Sequence, residues 1–315
     1  MNTQNIFPEK TTGLVAATFT PFGEDQKIDT SVIKPYAEWL SRGGIAGAFI
    51  NGTTGEGPSL TVSERMQIAE AWMEARPKDL RIFVHVGHTA LPVAKQLAAH
   101  AEQIGADAVA CIAPYFFKPR NISELTNWCA EVAGAAPGLP FYYYHIPSIT
   151  GVDLKMEDLL LVASKRIPNF AGLKFTYEDL DDYKACLDFE DGRYDILFGR
   201  DEILLKALKL GGKGAVGTTY NFTGPIYHRI ISAYKKGEFQ LAHELQEQAT
   251  RLIDVCVQGE WHPVAAFKWI LKRVGLDCGL TRLPIPEITD AQAKILEDRL
   301  EEYLEGDILQ HGSCK

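Results

Sequence analysis

Residues 141–175 read FYYYHIPSITGVDLKMEDLLLVASKRIPNFAGLKF, and the unit they form decides the fold. Phe141–Tyr144 at one end and Gly172–Phe175 at the other are short apolar runs, bounded by prolines and glycines, that read as strands. Between them Leu154–Ser164 carries apolar residues at helical spacing, with Asp153 placed to cap its start. Two strands joined by a helix of this length pair in parallel through a right-handed crossover.

Outward from this unit the alternation repeats. Further strands are expected at Gly13–Thr18, Ala46–Ile50, Ile82–Val86, Ala108–Ile112, Ile196–Phe198 and Ala215–Gly217, giving eight in all. Helices are expected at Thr30–Ser41 behind Asp29, after Thr61 with Glu64 three residues on, and at Glu124–Val132 behind Ser123. Eight strand–helix repeats favour an α/β fold closed into a (β/α)8 TIM barrel. A doubly wound open sheet would want a phosphate loop after its first strand, where TFTPFGEDQKID (residues 18–29) reads as an ordinary turn. From about residue 225 to Leu304 the pattern is purely helical, and no Pro/Gly/Ser-rich linker precedes it. The expected organisation is a barrel core at 1–224, a C-terminal helical extension of the same domain at 225–305, and a mobile tail at 306–315.

Composition narrows the functional classes. The 315 residues are 46% hydrophobic and 23% charged, enough to bury a large core. A formal net charge of −9, with basic runs no longer than pairs such as Lys235-Lys236, argues against a nucleic-acid partner. No apolar stretch reaches membrane-spanning length and MNTQNIFPEK has no signal-peptide core, so a cytoplasmic protein with no membrane partner is expected. The six cysteines are widely spaced without a C-x-x-C pair, which fits reduced thiols.

Several motif fragments lose their meaning in context. Gly212 to Gly217 spells G-x-G-x-x-G, but its strand lies inside the motif and no helix opens directly after it. Gly52 to Gly57 opens like a phosphate loop, yet Pro58 occupies the place of the required lysine. His243-Glu244-Leu245-Gln246-Glu247 lacks the last histidine of a zinc motif, and His85 with His88 has no evident third ligand. Neither a metal nor a cofactor is expected.

In a barrel the chemistry lies at the C-terminal ends of the strands. Four such ends carry reactive groups. Asn51 to Gly57 brings Thr53 and Thr54 among glycines, a setting for a carboxylate or, alternatively, a turn that caps a neighbouring helix. On Phe141–Tyr144, alternation puts Tyr142 and Tyr144 on one face, and Tyr144 ends the strand. Lys174 interrupts an apolar strand and shares a face with Gly172, which would leave room beside it. A desolvated lysine shifts toward its neutral amine and can attack a ketone; a lysine at a strand end can also reach out to solvent. Gly199-Arg200-Asp201-Glu202 sets two carboxylates together after strand seven, as polar binding groups or as helix caps.

Taken together, G-T-T-G-E after strand two, Y-H-I-P after strand five, G-L-K-F-T on strand six and G-A-V-G-T-T-Y-N at strand eight resemble the pyruvate-dependent class I aldolase and lyase superfamily, the dihydrodipicolinate synthase and N-acetylneuraminate lyase group. The similarity spans Gly13 to Asn221 in consistent order. It implies a barrel with a C-terminal helical extension, a 2-oxo acid substrate with a pyruvate moiety, no metal, and a homotetramer. It also implies Lys174 as the Schiff-base residue, Tyr144 as the proton-handling residue, and Thr53 and Thr54 as holders of the pyruvate carboxylate. Synthase-type members carry an arginine two positions beyond the Y-x-x-P proline, where this chain has Ile149. Phe116, in P-Y-F-F, replaces a synthase tyrosine and has no hydroxyl for a proton relay between subunits. Asp201 and Glu202, with Gly199, Thr176, Gly217 and Thr218, resemble the polyol-binding set of the sialic acid branch. The expected reaction is therefore reversible cleavage of N-acetylneuraminate to N-acetylmannosamine and pyruvate. The alternatives are another aldolase or synthase of the superfamily and a catalytically silent keto-acid-binding regulator.

Overall fold

A computed structural model describes residues 9–304 and Leu309. Its short apolar runs form eight strands: β1 (Gly13–Ala17), β2 (Gly47–Ile50), β3 (Arg81–His85), β4 (Ala108–Ile112), β5 (Phe141–His145), β6 (Phe170–Phe175), β7 (Asp195–Phe198) and β8 (Gly214–Gly217). Each pairs in parallel with the next, and β8 returns to β1, so the sheet closes into the expected (β/α)8 barrel.

The helices among the described residues are α1 (Ile33–Arg42), α2 (Val62–Ala75), α3 (Leu91–Gln103), α4 (Ile122–Ala133), the short α5 (Pro147–Thr150), α6 (Met156–Arg166), α7 (Leu180–Gly192) and α8 (Leu204–Lys209). After β8 come α9 (Gly224–Lys235), α10 (Phe239–Val257), α11 (Pro263–Arg273) and α12 (Asp290–Leu304). The helix α9 is thus the partner of the eighth strand, and α10 to α12 pack beyond the barrel ring. No described helix is long and apolar enough to cross a membrane. The tail expected at 306–315 lies outside the described residues, as does Cys314. The other five cysteines are free and buried.

Period-two alternation divides the core. Val15, Phe49, Phe83, Tyr142 and Tyr144 point into the barrel, whereas Leu14, Ala48, Ile50, Tyr143 and Leu173 face the helices. Three local expectations need correction. The cap of α4 is Asn121, not Ser123: its Oδ1 accepts the Glu124 N–H at 2.9 Å. Asp153 does not start α6, because it accepts the Tyr177 hydroxyl at 3.2 Å. The free N–H groups of Met156 and Glu157 donate instead to Asp182, a residue of α7 that no local reading would connect to them. Gly172 leaves no space beside Lys174, since a Cβ there would strike the Asp195 backbone; the glycine allows β6 and β7 to approach closely.

The segment following α11 folds back over the start of the chain. Phe22 N–H donates to Cys278 O at 3.1 Å. Arg282 pairs with Glu64 at 2.8 Å, reaches Gln26 O at 2.5 Å, and donates its own N–H to Glu56 at 2.8 Å. Behind these contacts Lys268 of α11 forms a fully buried ion pair with Glu56 at 3.1 Å, its ammonium also resting on the Phe22 ring.

Candidate active site

At the C-terminal ends of the strands lies a cleft of about 330 Å³ whose lining includes Thr53, Thr54, Tyr144, Lys174, Thr176, Gly199, Asp201, Glu202, Gly217 and Thr218. These ten residues, the ones the sequence puts forward for the site, therefore meet in one place. They arrive on the ends of β2, β5, β6, β7 and β8, which only barrel closure brings together.

Lys174 is 4% exposed at the inner face of β6. Its amine sits 4.1 Å from the Phe49 ring centroid and 4.0 Å from that of Tyr144. Burial lowers its pKa below the usual lysine range, while Tyr144 and the Asp201 carboxylate partly oppose the shift. Tyr144 is held edge-on against Phe49 at 5.6 Å and His85 at 5.9 Å, so its orientation is fixed by packing.

The loop after β2 is braced on every side. Asn51 and Glu56 both adopt left-handed backbone conformations, with φ of 59° and 54°. Thr20 donates its hydroxyl to Gly55 O at 2.6 Å, and His85 Nδ1 lies 3.1 Å from Asn51 O. Thr54 and Thr218 join their hydroxyls at 2.6 Å, linking the loops after β2 and β8. His88 Nδ1 accepts the Ala90 N–H at 2.9 Å. Among the described residues no group of three or more His, Cys, Asp or Glu is arranged to hold a metal ion.

On the opposite wall Asp201 is buried, and its Oδ2 accepts from Thr219 N at 2.9 Å and Thr219 Oγ1 at 2.7 Å. Burial first, then the charge of Glu202, raises its pKa to about 6, against the pull of the Thr219 bonds. A Cβ at Gly217 would collide with this carboxylate, and one at Gly199 would collide with Thr176. Both glycines are therefore spaces that the site fills. Thr176 Oγ1 is buried without a hydrogen-bond partner.

Sequence reasoning passed over Arg200, which lines the cleft between Glu178 at 2.8 Å and Glu202 at 3.5 Å. Its position beside two acids was the available signal. It also missed Ile253, Val257, His262 and Phe267, contributed by α10, α11 and the turn between them. Nothing local in those helices points to a cleft formed elsewhere in the chain. Phe116 and Phe117 stand away from the cleft, 75% and 86% exposed.

Fold and cleft together define a (β/α)8-barrel enzyme of the aldolase and lyase kind. The chain belongs to the Dihydrodipicolinate synthetase family, whose profile matches residues 10–303. It is 45% identical over 296 residues to an N-acetylneuraminate lyase of Sus scrofa, covering 91% of this chain and 92% of that one. Among solved structures, N-acetylneuraminate lyase (sialic acid aldolase) from Aliivibrio salmonicida superposes with a TM-score of 0.90 at 39% identity, over 94% of this chain and 97% of that one. The Proteus mirabilis N-acetylneuraminate lyase does so with a TM-score of 0.90 at 36% identity, over 93% and 99%.

Proposed function

We propose that this protein reversibly cleaves N-acetylneuraminate to N-acetylmannosamine and pyruvate through an imine on Lys174. The carrying observation is the buried Lys174 amine, with its lowered pKa, at the floor of a cleft that has hydroxyls on one side and carboxylates on the other. In this reading the neutral amine attacks the 2-oxo carbon and water leaves, giving a protonated imine. Thr53 and Thr54 hold the substrate carboxylate. Tyr144 gives its hydroxyl proton to the departing water as the protonated imine forms, and the phenolate so produced takes the C4 hydroxyl proton as the C3–C4 bond breaks, the electron pair moves into the enamine, and the aldehyde departs. Protonation and hydrolysis then release pyruvate and restore the lysine. No cofactor is required, because the protonated imine is itself the electron sink.

The relatives named above support N-acetylneuraminate as the substrate, and Asp201 and Glu202 are suited to accept hydrogen bonds from its polyol chain. Thr176, Gly199, Gly217 and Thr218 shape the same region. Ile149, on the cleft wall, offers no cation to a second substrate carboxylate, which sets this chain apart from the synthase reaction. We further propose a cytoplasmic homotetramer, a role to which the exposed Phe116–Phe117 pair is suited; the boundary expected between residues 224 and 225 moves beyond α9, which completes the barrel core, and α10 to α12 form the extension.

Borohydride added with pyruvate should trap an adduct on Lys174 alone, and Lys174→Ala should abolish both adduct and turnover. A substrate panel then reads specificity. Efficient condensation of pyruvate with aspartate semialdehyde would overturn the lyase assignment in favour of the synthase. Binding of pyruvate without adduct or turnover would point to the regulator.

A further inference from the structure

Asp201 and Glu202 occupy a single 3-10 turn, Asp201–Ile203, between β7 and α8. A turn this short does not fix its own orientation, and its backbone is gripped from outside the cleft. Gln246, a buried residue of α10, accepts the Leu205 N–H at 3.0 Å through its Oε1 and donates through Nε2 to the Asp201 carbonyl at 3.0 Å. Thr250, one helical turn on, places its hydroxyl 3.0 Å from the Glu202 carbonyl and 2.8 Å from that of Gln246. Tyr227 of α9 adds its hydroxyl to the Asp201 carbonyl at 3.1 Å.

An amide suits the position of Gln246 because it presents one acceptor and one donor group to an N–H and a C=O at once. Glutamate would set a second acceptor against the Asp201 carbonyl, and methionine would satisfy neither group. None of these contacts touches the loop after β2, which carries Thr53 and Thr54 and is braced separately by Thr20 and His85.

We propose that Gln246, assisted by Thr250, is a positioning residue that sets substrate specificity by aiming Asp201 and Glu202 into the cleft, without touching the substrate. This rests on the N-acetylneuraminate reading above. Displacements well under the length of a hydrogen bond weaken the grip on a polyol, so loss of the brace should fall on the aldehyde half alone.

Gln246→Met, Gln246→Glu and Thr250→Val, made in the full chain, test this. Three quantities are measured: kcat/KM for N-acetylneuraminate cleavage, KM for N-acetylmannosamine in condensation, and the rate of pyruvate trapping by borohydride. Gln246→Met should lower the first and raise the second by about tenfold, the factor corresponding to loss of one or two buried hydrogen bonds. Gln246→Glu should do at least as much, and Thr250→Val about threefold. Trapping should stay within about twofold of wild type. Equal loss of all three quantities, or no change in any, would overturn the inference; if Gln246→Met does not fold, Thr250→Val decides by the same split. Wild-type protein that traps pyruvate but leaves N-acetylneuraminate uncleaved would overturn the substrate reading and this inference together. Wild-type cleavage with unaltered variants would overturn this inference alone.

Discussion

Asp201 shows what one residue of the cleft does to the molecule. Its carboxyl is raised from the ordinary 3.8 to about 6 by burial and by Glu202, so its ionised form is less at ease in the folded chain than in the unfolded one. The resulting penalty is complete above about pH 6 and disappears as pH falls through 6 toward 4. Asp201→Asn should therefore resist urea better than wild type at pH 8, by about 1 to 3 kcal/mol, with the gain shrinking to nothing near pH 4. The same substitution should reduce cleavage of N-acetylneuraminate. A variant no more stable than wild type at pH 8 would place the ionised carboxylate at no disadvantage. Tyr144 makes a different prediction: Tyr144→Phe keeps the ring that packs on Lys174 and loses only the hydroxyl. Imine trapping should survive while kcat falls about 10²- to 10⁴-fold, and turnover at the wild-type rate would move proton transfer to another group. Lys174 was legible from sequence because it breaks an apolar strand, and Tyr144 because it closes an aromatic run next to the end of β5. Arg200 was not, since a charge beside two acids reads equally well as a solvated turn.

Among the elements, strands were more legible than helix starts. A parallel strand buried on both faces needs a continuous apolar run, and the eight runs fall within about two residues of the observed strands. Helix starts depend on which groups satisfy the free N–H donors. For α2 the answer is local, with Thr61 and Glu64 exchanging bonds across the first turn. For α6 it comes from Asp182 on α7, beyond the reach of local spacing. The helix α11 carries the sharpest prediction at this scale. Lys268 and Glu56 are both fully buried, so Lys268→Met would strand a carboxylate in the core and should destabilise the protein by about 3 to 5 kcal/mol. Combining it with Glu56→Gln should recover much of that loss. Urea titrations of the single and double variants form the cycle, and additive losses would mean that the two charges do not depend on one another. Because Glu56 ends the loop that carries Thr53 and Thr54, pyruvate KM should rise in Lys268→Met.

For the whole molecule, the barrel and the finished cleft are separate achievements. Consecutive strands pair along the chain, so the sheet grows through neighbours. The cleft needs α10 and α11, and the loop after β2 needs residues near 280 that are more than 200 positions away, as in the 226-residue separation of Arg282 from Glu56. Contacts of that range close late. On dilution from urea, far-UV circular dichroism should recover before activity does, and Lys268→Met should widen the interval. Simultaneous recovery of both signals would show that the cleft forms with the barrel.

The folding back of residues 278–282 over Phe22, Gln26 and Glu56 also has a meaning for a chain still being made. A loop that has emerged from the ribosome is finished by residues that follow it more than 200 positions later. A nascent chain that has already presented all eight strands still lacks the segment that locks Glu56 and Glu64. While the chain between Gly217 and Arg282 is being made, then, the polypeptide can be a barrel without being an enzyme, and competence arrives only once the segment around Arg282 has left the exit tunnel.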